Sequence, residues 1–315
     1  MFALRCAGIS LALFFLVYLL LSLLVASVWR RLLPSSTAQK PGRRAHQLFL
    51  LRILPLTAAI AVTILFTLPS FLLLEPPSAD EPVGAVPLLL ASACIGLFAA
   101  GMYRALQAHR RTSQAVTAWL NGATVMDSQS PVPIFCTGKN TPTLTVAGVC
   151  APRVLVSRRT LDLLSRPELR TALRHEMAHV RRRDNLRKLL FCLSVSPAMR
   201  ELESAWSEAA EMAADDDAVS TMDDALDLAA ALIKLSRVSS AQSVPALATA
   251  LACSSTASLN ARVQRLYAWQ DPHPAPTPFR PWTLIAAACT SAACLWVAYP
   301  ATLAALHELT EWLVR

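Results

Sequence analysis

The sequence predicts a mainly α fold in two parts: a set of membrane-spanning helices, and an α+β domain with a small β-sheet carried between the third and fourth of them. Three observations predict it. Hydrophobic residues make up 54% of the 315 and charged residues only 16%, against about 25% charged in soluble chains. The apolar excess, a mean hydropathy of +0.43, is gathered into long runs near both ends. The middle of the chain keeps an ordinary mixture of charged and apolar residues in helical and β-prone stretches.

The first apolar run, 7–29, is long enough to cross a bilayer core. Trp29, Arg30 and Arg31 follow it directly, as an interfacial anchor would, where a cleaved leader would carry small residues. A basic loop with Arg30, Arg31, Lys40, Arg43 and Arg44 leads to the second span, 49–74, near whose start Arg52 is expected to snorkel to the interface. The next loop, EPPSADEPVG, has three acidic residues and no Lys or Arg. The third span is 85–103, followed by Arg104, Arg110 and Arg111. A fourth, 282–303, comes after the Pro-rich DPHPAPTPFRP. The basic segments set the orientation: the N-terminus outside, residues 105–280 cytoplasmic, and a short tail outside again. That is a multi-pass protein of the inner (cytoplasmic) membrane, with the lipid bilayer as a standing partner.

The net charge of +8 argues little for nucleic acid. Many of the cations flank apolar runs and are not interleaved with aromatics on one soluble face, so no nucleic-acid partner is expected. The eight cysteines form no CxxC pair. They read as buried small apolar residues; Cys136 and Cys150 flank a hairpin-like stretch and could pair, but a reducing compartment fits the topology.

Residues 131–157 hold PVPIF, TLTVAGV and RVLVS, which predict two or three short strands. From Ser165 the pattern turns helical. Ser165, Pro167 and Glu168 supply an N-cap, a first-turn proline and a capping box for a helix running to about Arg183. Further helices are expected at 185–195, 198–219, within 223–240 and around 257–269.

The chemistry sits in HEMAH, His175 to His179. Residues four apart share a helix face, so the two imidazoles converge on one point, a fitting pair for Zn²⁺. Glu176 lies where it can act as general base on a metal-activated water. Six His and ten Glu produce an HExxH by chance in roughly 0.004 of chains of this composition, so accident is a poor explanation. A catalytic site needs a third ligand, and WSEAAEMAADDDAV offers Glu208 and Glu211, which spacing alone does not separate. Asp215, one turn after Glu211, is placed to hold a ligand histidine's second nitrogen. Ala209, Ala210, Ala213 and Ala214 would let this helix approach the first closely, and Asp216 and Asp217 read as a solvated face.

ELRTALRHEMAHVRRRDNL at 168–186, followed by EMAAD at 211–215, resembles the gluzincin membrane peptidases: the BlaR/MecR sensor-transducers and, more distantly, HtpX and the CaaX prenyl proteases. The HVRRRDNL continuation and the layout of spans are most similar to the BlaR/MecR branch. The resemblance implies a zincin-like α+β metallopeptidase domain with one zinc per chain, held by His175, His179 and Glu211. It further implies Asp215 behind the ligands and Glu176 as the base. It also implies a membrane-anchored endopeptidase with a protein or peptide substrate, in regulatory signalling by cleavage of a cytoplasmic transcriptional repressor or of itself. The sequence departs from that branch in ending at Arg315, where the relatives carry a penicillin-binding sensor domain, so β-lactam sensing is not carried over. SLNARVQRL at 258–266 also looks like a helix of this group, with Arg262 given no role.

Two other readings compete. An intramembrane protease of the site-2 type would bury its HExxH in lipid, which Arg170, Arg174 and Arg181 to Arg183 on the same helix oppose. A non-catalytic signalling or scaffold protein would need a closed, four-ligand structural site, for which Cys192 is the nearest thiol.

Overall fold

The computed structural model describes residues 2–33, 40–74, 84–127, 132–138, 141–238, 245–251, 256–269, 299–305 and 308. The chain divides into two compact units, Met1–Val28 with Ile53–Ala99 and Pro272–Arg315, and Trp29–Arg52 with Ala100–Asp271. Among the described residues, three helices are long and apolar enough to cross a membrane: Phe2–Leu32, Pro41–Leu74 and Ala85–Leu120. Most of the expected fourth span, 282–303, lies outside the described residues; 299–305 are helical.

In the first unit, Phe14, Tyr18, Ala59 and Cys94 form a buried cluster between α1 (Phe2–Leu32), α2 (Pro41–Val62) and α4 (Ala85–Leu120). Between α2 and α3 (Leu68–Leu74) the helix widens to a π turn, Thr63–Thr67. Pro69 brings no N–H to the ladder. The Leu65 carbonyl, four residues earlier, instead accepts a hydrogen bond from the Tyr299 hydroxyl at 2.9 Å.

The second unit begins inside the helices. At 1.5 Å per residue, the 36 residues of α4 reach about 54 Å, well beyond a ~30 Å hydrocarbon core, and from Ala100 onward the helix belongs to the second unit. So does the start of α2. Arg52 does not snorkel. It is buried, and its guanidinium bonds Glu203 Oε1 (2.8 Å), Ser194 Oγ (2.9 Å) and the Ser194 carbonyl (2.5 Å). The acceptors at a helix end and one carboxylate satisfy it better than an interface would. Gly101 is required on α4, because a Cβ there would stand 2.1 Å from the Leu193 carbonyl.

Among the described residues, five strands form one sheet in the order β1-β2-β4-β3-β5. They are β1 (Thr124–Asp127), β2 (Ile134–Thr137), β3 (Leu144–Ala147), β4 (Arg153–Ser157) and β5 (Ala248–Ala250). β2 and β4 are parallel; the other pairs are antiparallel. β3 is an interior strand, with β4 on one edge and β5 on the other, so neither edge is open to an extended substrate. β1 and β5 escaped sequence reading; ATA, one Thr between two alanines, is too short and weak a signal and becomes a strand by pairing with β3.

The helices follow as α5 (Arg158–Leu163), α6 (Arg166–Arg182), α7 (Asp184–Leu193), α8 (Arg200–Ala218), α9 (Met222–Val238) and α10 (Thr256–Tyr267). The capping box forms: Ser165 N–H donates to Glu168 Oε2 at 2.8 Å, and Glu168 N–H to Ser165 Oγ at 3.4 Å. One sheet face (Leu144, Val146, Val154, Val156) packs with Ala172 of α6, Leu228 and Leu232 of α9 and Leu266 of α10 in a continuous core. Ala209, Ala210, Ala213 and Ala214 are all buried, so α8 lies close against α6. Cys6, Cys94, Cys136, Cys150 and Cys192 are free thiols, and Cys150 is exposed.

Candidate active site

α6 and α8 bring His175, His179 and Glu211 to one point. The two Nε2 atoms are 3.2 Å apart, and Glu211 lies 3.6 Å from His175 Nε2 and 3.5 Å from His179 Nε2. Glu208 is exposed, three residues round the helix. Cys192 is not among the cluster and lines a different cavity, with Phe191, Glu203 and Trp206.

Each imidazole has a carboxylate behind it. His175 Nδ1 lies 3.0 Å from Asp215 Oδ1, and His179 Nδ1 lies 2.7 Å from Asp184 Oδ2. A carboxylate at Nδ1 keeps the proton there and leaves Nε2 with its lone pair facing the other donors. Two facing lone pairs repel each other unless a cation stands between them. A tetrahedral metal with bonds of 2.0–2.1 Å holds its ligands about 3.3–3.4 Å apart, close to the three separations found here. The donor set therefore fits zinc, and His175, His179 and Glu211 could hold it.

Asp184 was not singled out in the sequence because helical periodicity does not point it at His179, five residues earlier. It gets there because Arg183 takes a left-handed conformation (φ 55°, ψ 42°), ending α6 and starting α7 at an angle. Asn185 then donates to the carbonyls of Gly148 (3.0 Å) and Val146 (3.4 Å), fastening this corner to the sheet. Gly148 is needed there, at φ +100° with Ala151 O 2.8 Å from any Cβ.

Arg262, left without a role by the sequence, is fully buried at the centre. It grips Asp215 through Nε (2.8 Å) and Nη2 (2.6 Å), and its Nη1 lies 3.0 Å from Glu211 Oε2. No local signal could have found it, 47 residues from Asp215. Asp216 and Asp217 are also paired, with Arg265 (2.6 Å) and Arg182 (3.1 Å), so this is not a simple solvated face.

The electrostatics are those of a cation site. Burial opposes the ionisation of Glu211, but His179, Arg262 and His175 outweigh it and bring its carboxyl down to about 2. Asp215 is held well below the usual carboxylate range, chiefly by Arg262 working against burial. Burial also opposes charge on His175, yet Asp215 and Glu211 hold it above its ordinary value. Glu176 goes the other way. Fully buried, and next to Glu211, its carboxyl is pushed up to about 8 despite His179 and Arg262. Among the described residues its Oε1 has no hydrogen-bond partner, and its Oε2 is 3.5 Å from the Thr249 hydroxyl on β5.

Comparison with known proteins places this geometry. No curated protein and no solved structure matches the chain. The family described as BlaR1 peptidase M56 matches residues 83–266, more than half of the chain. The matched stretch runs from the third apolar helix through the HEMAH helix to the helix of Arg262, and by that match this membrane-associated chain belongs to the BlaR1 peptidase M56 family.

Proposed function

We propose that the chain is a zinc-dependent endopeptidase whose metal ligands are His175, His179 and Glu211, whose general base is Glu176, and whose Asp215 positions His175. The observation that carries this reading is the convergence of three donor atoms from His175, His179 and Glu211, with the buried Glu176 next to His175 in the chain and its Oε1 without a partner among the described residues.

Bound zinc would supply Lewis acidity, polarising the scissile carbonyl and making a water easier to deprotonate. The residues do the rest. Asp215 and Asp184 hold the imidazoles so that both Nε2 atoms face inward. Arg262 keeps Asp215 and Glu211 ionised and in place. Glu176 accepts the proton of the attacking water at Oε1 and passes it to the leaving amine as the C–N bond breaks, so that one water is consumed and a carboxylate and an amine result.

The protein should carry about one zinc per chain, as three protein ligands and an open position require. Glu176→Gln should keep that zinc and abolish peptide cleavage. Metal analysis and a cleavage assay on the two forms decide it: metal-free wild type sinks the reading, and a fully active Glu176→Gln sinks the assigned base. We further propose that the substrate is a cytoplasmic protein, a transcriptional repressor or the chain itself. Comparing cleavage products in cells carrying wild type and Glu176→Gln tests this, and products confined to extracytoplasmic proteins would refute it.

A further inference from the structure

Arg183 stands out twice. It is the one non-glycine residue at positive φ among the described residues. A side chain in the left-handed region costs roughly 1–2 kcal/mol, and glycine is the usual residue just past a helix end. Strain of this kind, kept where glycine would relieve it, points to a use for the side chain. Yet the Arg183 side chain is exposed and makes no ion pair or hydrogen bond among the described residues. Arg182 and Arg187, on either side, bind Asp217 and Asp184.

Arg183 also lines a cavity of about 380 Å³ that has His179 in its wall. The cavity's body is apolar, from Val146, Pro152, Val180 and Leu186, and Arg183 is the one Lys, Arg, Asp or Glu in its lining. Asn185, in the same wall and only 7% exposed, donates its Nδ2 to the Val146 and Gly148 carbonyls, which fixes this side of the cavity to the sheet. An apolar body and an unpaired guanidinium call for a ligand with a short apolar stem and a carboxylate. An acidic residue in a peptide has both.

We propose that Arg183 and the cavity it lines beside His179 form a specificity subsite of the peptidase that takes an acidic substrate residue close to the bond being cut. Its carboxylate pairs with Arg183, and its stem lies among Val146, Val180 and Leu186. The inference rests on the peptidase reading and concerns which substrates that site accepts.

The test uses the full chain, zinc-loaded and in detergent, in the Glu176→Gln form, so that binding is read without turnover. Fluorescent peptides carrying Glu or Gln at each position in turn are titrated by anisotropy. At one position Glu should bind about five- to tenfold more tightly than Gln. Arg183→Gly should remove that difference, and Arg183→Glu should reverse it in favour of Lys. Arg183→Gly should unfold at the same temperature as its parent or higher, because it releases backbone strain, so a lost preference is not lost folding. A Glu preference that survives Arg183→Gly, or none at any position, overturns the subsite. The same peptides are offered to the active enzyme. Cleavage without a Glu preference would leave the peptidase standing and remove the subsite. Arg183-dependent binding with no cleavage of any peptide would keep the subsite and remove the peptidase.

Discussion

Glu211 and Glu208 illustrate what three residues of helix mean. Both are plausible ligands by composition, but α8 turns Glu211 toward both imidazoles and Glu208 toward solvent. Glu211→Ala should therefore lower zinc affinity by about 100-fold or more, and Glu208→Ala should leave it within a few-fold of wild type. Asp184→Asn should fall between them, at about 10- to 100-fold, because it loosens His179 without removing a ligand. Competition with a chelator of known affinity ranks the three; a larger loss for Glu208→Ala would exchange the roles.

At the scale of elements, the junction of α7 and α8 depends on a residue from α2. Arg52 neutralises Glu203, bonds the carbonyls at the end of α7, and lies 5.3 Å from the Phe191 ring centroid. Two turns further along α8 stands Glu211. Arg52→Leu would leave those acceptors buried and Glu203 unpaired. It should destabilise the second unit by about 2–4 kcal/mol, discounted for the partial exposure of Glu203. Thermal unfolding in detergent, followed through the buried Trp206, is the measurement; a midpoint equal to wild type would mean the clamp contributes nothing.

For the whole molecule, the unit that holds the HEMAH helix also contains 29–52, the most basic connection in the chain. Loop and site must then share one side of the membrane. We propose that this side is the cytoplasm, with the N-terminus outside, because Lys and Arg in short loops stay on the cytoplasmic face. Cys150 is an exposed thiol in this unit and can report it. In a variant keeping Cys150 as its one cysteine, a membrane-impermeant maleimide should label the protein in permeabilised cells and not in intact ones. Labelling of intact cells would invert the topology.

What the sequence determined by itself was whatever depends on neighbours within a few residues. Apolar runs long enough for a bilayer, the Ser165–Glu168 cap and the i, i+4 histidines with Glu176 between them all have local physical causes, and they sufficed for the family resemblance. The preference for Glu211 came from that resemblance, not from spacing. Only the tertiary structure brought in Asp184, through a left-handed turn at Arg183 that no periodicity announces. It alone put Arg262 between Asp215 and Glu211, paired β5 with β3 across about a hundred residues, and turned Arg52 inward. Each of these is a contact between residues far apart in the chain, whose energy comes from burial and hydrogen bonding that exist only once the helices have packed.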